Sequence, residues 1–170
     1  MTTGGEVGRG ETGRDEVSRI VVGIDGSEGS REALRWAMRE SELHGAELLV
    51  LLAWQLPAVG PYLPAMPLDA GVWEESARQG LSEALAAVFG DKVPDGVRAE
   101  VRPGPPASVL VEAGRDADLV VVGSRGHGGF VGALLGSVST AVVHHTTCPV
   151  LVVRPPSEHD ADTKHADTKH

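Results

Sequence analysis

Cysteine is nearly absent from this chain: Cys148 is the only one. That excludes an intrachain disulfide and points to a reducing compartment, with the cytoplasm as the expected location. Long apolar runs are missing too, since nothing approaches the roughly 18 to 20 apolar residues that a membrane span needs. The charged, glycine-rich stretch 1–17 shows no apolar h-region, so neither export nor a membrane anchor is expected. Lysine occurs only at Lys92, Lys164 and Lys169, and no Gly-x-x-x-x-Gly-Lys-Ser/Thr is present, which excludes a P-loop NTPase. Nor does a Gly-x-Gly-x-x-Gly follow the first strand-like segment, or a Gly-x-Ser-x-Gly occur anywhere, so a dinucleotide cofactor and a nucleophile elbow are not expected. Positive charge is in deficit, with 15 Lys and Arg against 24 Asp and Glu and a net charge of -9. The basic residues are scattered, which argues against nucleic-acid or anionic-membrane binding. No metal-ligand motif is visible; His144, His145 and Cys148 read as a helix end followed by a strand start.

What remains fits one domain between two tails. A chain of 170 residues can bury a core without staples. Residues 1–17 and 157–170 offer too little apolar surface to offset chain entropy and are expected to be disordered; the second ends in a repeated Asp-Thr-Lys-His. The domain is 18–156. Within it strand-like and helix-like patterns alternate. Arg19 to Asp25 is an apolar run ending in Asp-Gly-Ser, where Ser27 can cap a helix reaching about His44, with Gly45 as its stop. Glu47 to Trp54 is a second buried strand, followed by a Pro-rich surface loop. Helical spacing returns at Ala77, Leu81, Ala84, Leu85 and Val88. Val97 to Arg102 is a more exposed third strand, Pro105 and Pro106 open a short helix, and Asp118 to Gly123 is a fourth strand. A helix from Ser137 to about His145 and a fifth strand, Pro149 to Arg154, complete the pattern. Strands that are apolar throughout, alternating with helices, predict an α/β domain with a doubly wound, five-stranded parallel sheet and helices on both faces. Ligands of such sheets sit beyond the strand carboxyl ends where the order reverses.

The segment after the fourth strand carries the chemistry. Gly123-Ser124-Arg125-Gly126 is followed nine residues later by Gly136-Ser137. Gly123 and Gly126 allow positive φ and close approach of a ligand to the main chain. Their amides can form an anion-binding concavity, and Gly136-Ser137 opens a helix whose first amides face the same anion. Ser137 and Ser139 add hydroxyls, and Arg125 and His127 add charge. The plainer alternative is that glycines after a strand only make a turn; the spacing, closed by Ser at a helix start, favours a nucleotide site.

On these residues the chain resembles the ATP-binding branch of the universal stress protein family. That branch carries Gly, two residues, Gly, nine residues, Gly and then Ser or Thr, matched here at Gly123, Gly126, Gly136 and Ser137. The resemblance covers about 18–156 and includes the first strand ending in Asp and the last strand, Cys-Pro-Val-Leu-Val-Val. It implies a Rossmann-like, adenine nucleotide alpha hydrolase-like fold and a site for ATP with its Mg²⁺. It further implies that Asp25 bonds the ribose or adenine side and that Ala53 lines the adenine pocket. Gly123 and Gly126 would pass under ribose and phosphates, while the amides of Gly136, Ser137 and Val138 and the Ser137 hydroxyl would hold the phosphates. One departure is Leu52, often His in the family, which is expected to be core. Each of these residues also has a duller reading: Asp25 as a turn residue, Ala53 as core, Ser137 as a helix cap.

Phosphoryl transfer needs a positioned base and charge stabilisation, and the loop offers Arg125 and His127 at most. The expected function is therefore a binding and stress-response regulator whose nucleotide occupancy controls conformation or dimerisation, with weak or no ATP hydrolysis. A slow ATPase of the same fold and a nucleotide-free dimeric scaffold are the alternatives. The short apolar fifth strand, 149–154, would lie at a sheet edge that needs protection; pairing with its own copy would supply it, and the resemblance likewise implies a homodimer through that strand.

Overall fold

The structure, a computed structural model, describes residues 18–56, 69–126 and 134–155. The Pro-rich loop between Leu56 and Asp69, His127 and both tails fall outside that range.

Among the described residues five strands alternate with four α-helices: β1 (Arg19–Ile24), α1 (Glu28–His44), β2 (Glu47–Trp54), α2 (Ala70–Phe89), β3 (Val97–Pro103), α3 (Pro106–Ala113), β4 (Leu119–Gly123), α4 (Ser137–His145) and β5 (Val150–Val153). Their local causes are legible. Ser27 caps α1 by accepting from the Ser30 N–H at 3.2 Å, and Gly45 ends it at φ 65. Asp69 caps α2 by accepting from the Gly71 N–H at 2.9 Å. Pro106 occupies the first turn of α3, where its missing N–H has no intrahelical role.

All strand pairings are parallel, in the order β3-β2-β1-β4-β5. Val22 of β1 stands beside Val50 of β2 on one side and Val121 of β4 on the other. The order reverses between β1 and β4, so a crevice opens at their carboxyl ends.

Alternation along each strand divides the core into two layers. Ile20, Val22, Val50 and Val121 pack with Ala33, Leu34 and Ala37 of α1 and with Leu81 and Leu85 of α2. Val21, Leu49, Val120 and Val122 face the other way, against Val109 and Leu110 of α3 and Val142 of α4. Ile20, Val22, Val50 and Val121 have no exposed surface, and each such side chain contributes about 1.5–3 kcal/mol. Leu52 packs against the first layer, as expected of a core residue. The most polar strand, β3, is an edge; its Glu100 and Arg102 pair with each other at 2.7 Å. Strand β5 is the opposite edge and is one residue shorter at each end than its sequence pattern suggests.

Candidate functional site: the crevice beyond strands β1 and β4

A cavity of about 760 Å³ lies at the carboxyl ends of the central strands. Asp25, Ala53, Gly123, Gly126, Gly136, Ser137 and Val138, all picked out from the sequence, line it together. The sheet supplies this convergence: β1, β2 and β4 are neighbours running the same way, so their ends deliver Asp25, Ala53 and Gly123 to one rim.

The two sides of the cavity differ in chemistry. Leu51, Ala53, Pro106, Val109, Leu110 and Val122 form an apolar side, built from the core layer that α3 covers. Leu110 lies so close to β1 that a Cβ on Gly23 would stand 2.6 Å from its Cδ1. Asp25, Arg125, Gly126, Gly136 and Ser137 form the polar side.

Asp25 follows β1 and is exposed. Its Oδ1 accepts from the Ser27 N–H at 3.0 Å and from the Ser27 hydroxyl at 2.6 Å, and its own N–H donates to Ser30 Oγ at 3.3 Å. The Ser27 that caps α1 therefore also sets the Asp25 carboxylate. A Cβ on Gly126 would overlap Asp25 Oδ2, so the bare backbone of Gly126 is what leaves the carboxylate its place.

The loop glycines work differently from the sequence expectation. Positive φ occurs at Gly26, Gly45, Gly90, Gly96 and Gly104 among the described residues, and not at Gly123, Gly126 or Gly136. Gly123 and Gly126 share close approach instead, whereas a Cβ on Gly136 would meet only ordinary contacts. A Cβ on Gly123 would stand 2.8 Å from the carbonyl carbon of Gly29, and one on Gly29 would stand 2.8 Å from the carbonyl oxygen of Arg125. The first turn of α1 thus lies backbone to backbone on the end of β4. Gly29 was missed in the sequence, although a glycine inside a helix, where it costs about 1 kcal/mol against Ala, is itself a signal.

The start of α4 closes the site. Gly136 is its N-cap, with φ -76 and ψ 170 and no side-chain hydrogen bond, and its first turn carries no acidic residue. Ser137 is the first helical residue rather than the cap. Ser139 does not face a ligand: its buried hydroxyl donates to the carbonyls of Ser124 and Gly136, both at 3.0 Å. The Ser124 carbonyl also accepts from the Gly136 N–H at 2.7 Å, while the Ser124 N–H donates to the Val153 carbonyl at 2.6 Å. Buried Ser124 therefore joins the loop, the α4 start and the end of β5.

Other chemistry is weakly represented. Burial pushes the Cys148 thiol up from its ordinary value, which disfavours the thiolate. No group of three His, Cys, Asp or Glu among the described residues is placed to hold a metal ion.

Residues 16–154 match the model of the universal stress protein family. The chain belongs to that family. A universal stress protein of Mycolicibacterium smegmatis is 38% identical over 156 residues, covering 87% of this chain and 49% of its own length. One from Mycobacterium tuberculosis strain H37Rv is 37% identical over 150 residues, covering 85% and 48%. The chain thus spans about half the length of these relatives. Among solved structures, a universal stress protein in complex with cAMP superposes with a TM-score of 0.62 at 27% identity, over 82% of this chain and 99% of that one. The universal stress protein of Archaeoglobus fulgidus in complex with dAMP has the same fold, with a TM-score of 0.56 at 24% identity, over 80% and 97%. No helix among the described residues is long and apolar enough to cross a membrane.

Proposed function

We propose that this universal stress protein binds an adenine nucleotide, ATP with its Mg²⁺, in the crevice beyond β1 and β4, and acts as a regulator in the cytoplasm. The observation that carries the reading is a single cavity with an apolar side at Ala53, Pro106 and Leu110 and an uncapped helix start on its polar side. A purine suits the first and a phosphate the second. The family member solved with cAMP supports an adenine nucleotide as the ligand class.

In this reading the base lies over Ala53, Asp25 bonds the ribose or adenine edge, and Gly123 and Gly126 run beneath ribose and phosphates. The amides of Gly136, Ser137 and Val138 and the Ser137 hydroxyl take the phosphates. Mg²⁺ arrives on the nucleotide, because it binds through phosphate oxygens and one or two carboxylates, and Asp25 is the carboxylate in the lining. That same carboxylate is tied to Ser27, a poor arrangement for a general base, so hydrolysis is slow or absent. Occupancy is relayed through Ser124 to Val153 of β5, whose outer edge pairs with a second copy to make a homodimer.

Titration calorimetry with ATP and Mg²⁺ tests the site. Gly126→Ala and Asp25→Ala are each expected to weaken ATP binding about tenfold or more, the scale of a lost charge-assisted contact. Equal affinity in all three proteins contradicts the reading. Sedimentation that shows only monomer at micromolar concentration removes the dimer.

A further inference from the structure

Most arginines in the described structure hold carboxylates. Arg35 pairs with Glu28 and Glu32 at 3.1 and 2.8 Å, and Arg98 with Glu47 at 2.9 Å. Arg125 has no ion-pair partner among the described residues, and it lines the cavity on the side of Gly126, Gly136 and Ser137. Among the described residues of that lining it is the one with a cationic side chain.

Its main chain is held on two sides. The carbonyl of Arg125 meets the first turn of α1, 2.8 Å from where a Cβ on Gly29 would be, and its Cα lies 3.5 Å from where a Cβ on Gly136 would be. The preceding residue, Ser124, is buried and bonded to Val153 and Gly136. An exposed, unpaired guanidinium is thus carried on a backbone that two helix starts keep in place. A fixed root lowers the ordering cost of a contact.

The electrostatics give this arrangement a use. The chain carries a net charge of -9 and presents Asp25 in the same lining. Helix amides at the α4 start supply about half a positive charge, so the charge left unbalanced grows with each phosphate added to the nucleotide. A planar guanidinium with a fork of donors suits the further phosphate oxygens. We propose that Arg125 is the specificity-determining residue that makes this site prefer adenine nucleotides with two or more phosphates over AMP and cAMP. This rests on the nucleotide reading of the cavity and adds to it the discrimination by phosphate number.

Calorimetric titration of the full chain with ATP, ADP, AMP and cAMP, on the wild type and on Arg125→Gln and Arg125→Lys, provides the test. Because Arg125 is exposed and unpaired, both variants are expected to fold, and a thermal melt on each verifies it. Arg125→Gln should weaken ATP binding about tenfold or more while changing AMP by less than about twofold, and Arg125→Lys should keep part of the ATP affinity. The salt dependence of ATP binding should also become shallower in Arg125→Gln. An equal loss for ATP and AMP, or no loss for either, overturns the role of Arg125 and leaves the nucleotide site standing. A wild type that binds none of the four nucleotides overturns both.

Discussion

Helices α1 and α4 both begin at the carboxyl end of the sheet, on opposite faces of it, and their first turns are finished in opposite ways. At α1 the chain supplies its own partners: Ser27 accepts from Ser30, bonds Asp25, and is followed by Glu28 in the positive first turn. Gly29 then lets that turn lie against β4. At α4 no side chain caps the helix, no acid follows, and Gly136 leaves the amides open toward the cavity. Equivalent backbone physics therefore serves two ends. One helix start is consumed in stability and in positioning Asp25, and the other keeps the unneutralised positive end that an anion would suit.

The comparison is broken most forcefully at the backbone contact of the α1 side. Gly123→Ala should lower stability by about 1–3 kcal/mol, the cost of overpacking, because its Cβ would meet the main chain of Gly29 and not a movable side chain. Urea unfolding measures it; an unchanged midpoint would show that the two backbones are not held together.

Gly136→Asp sharpens the contrast by giving α4 what α1 already has. The N-cap dihedrals at Gly136 are open to any residue, and a Cβ there meets only ordinary contacts from 3.5 Å outward. The variant should weaken ATP binding about tenfold, near 1.4 kcal/mol, while the free protein gains about 0.5 kcal/mol. Higher stability with unaltered ATP affinity would mean that the α4 start does not hold phosphate.

Ser27→Ala removes the α1 cap and the hydroxyl that bonds Asp25 Oδ1, while the backbone N–H of residue 27 still donates to that oxygen. A loss of about 1 kcal/mol in chemical denaturation is expected, accompanied by weaker nucleotide binding because Asp25 loses one of the hydrogen bonds that orient it. A stability loss without any change in binding would separate the cap from the site.

The smallest effect concerns Glu28. Hydrogen bonds from Arg35 and then Arg31 hold its carboxyl below the ordinary carboxylate value. A carboxyl lowered on folding contributes stability that is present above its unfolded value and is lost as pH falls through the folded one. The melting temperature of wild type should exceed that of Glu28→Gln slightly at neutral pH, and the gap should close on acidification below the ordinary carboxylate range. Because the group is largely exposed, solvent keeps the gap small.

Much of the fold and part of the site could be read before any coordinates. The Ser27 cap, the Gly45 stop, the Pro106 opening of α3 and the apolar strands are local signals, and the elements stand within a residue or so of their expected places except α2, which begins at Ala70, well before the apolar spacing that starts at Ala77. The glycine spacing after β4 and the Asp that ends β1 likewise pointed to one rim. The reason those glycines are needed was not legible. Space at Gly123 is denied by Gly29 and space at Gly126 by Asp25, and both contacts join residues about a hundred positions apart.

Ser139 illustrates the same limit at the level of a hydroxyl, because its commitment to Ser124 and Gly136 depends on how the loop returns to the helix. Periodicity, caps and glycine spacing are nearest-neighbour properties, so the order of elements and the candidate loop follow from sequence alone. Which strand adjoins which, which face α3 covers, and which helix start is sealed or open depend on how the sheet packs. Those contacts exist only once distant segments share a volume, and there the tertiary structure alone decides.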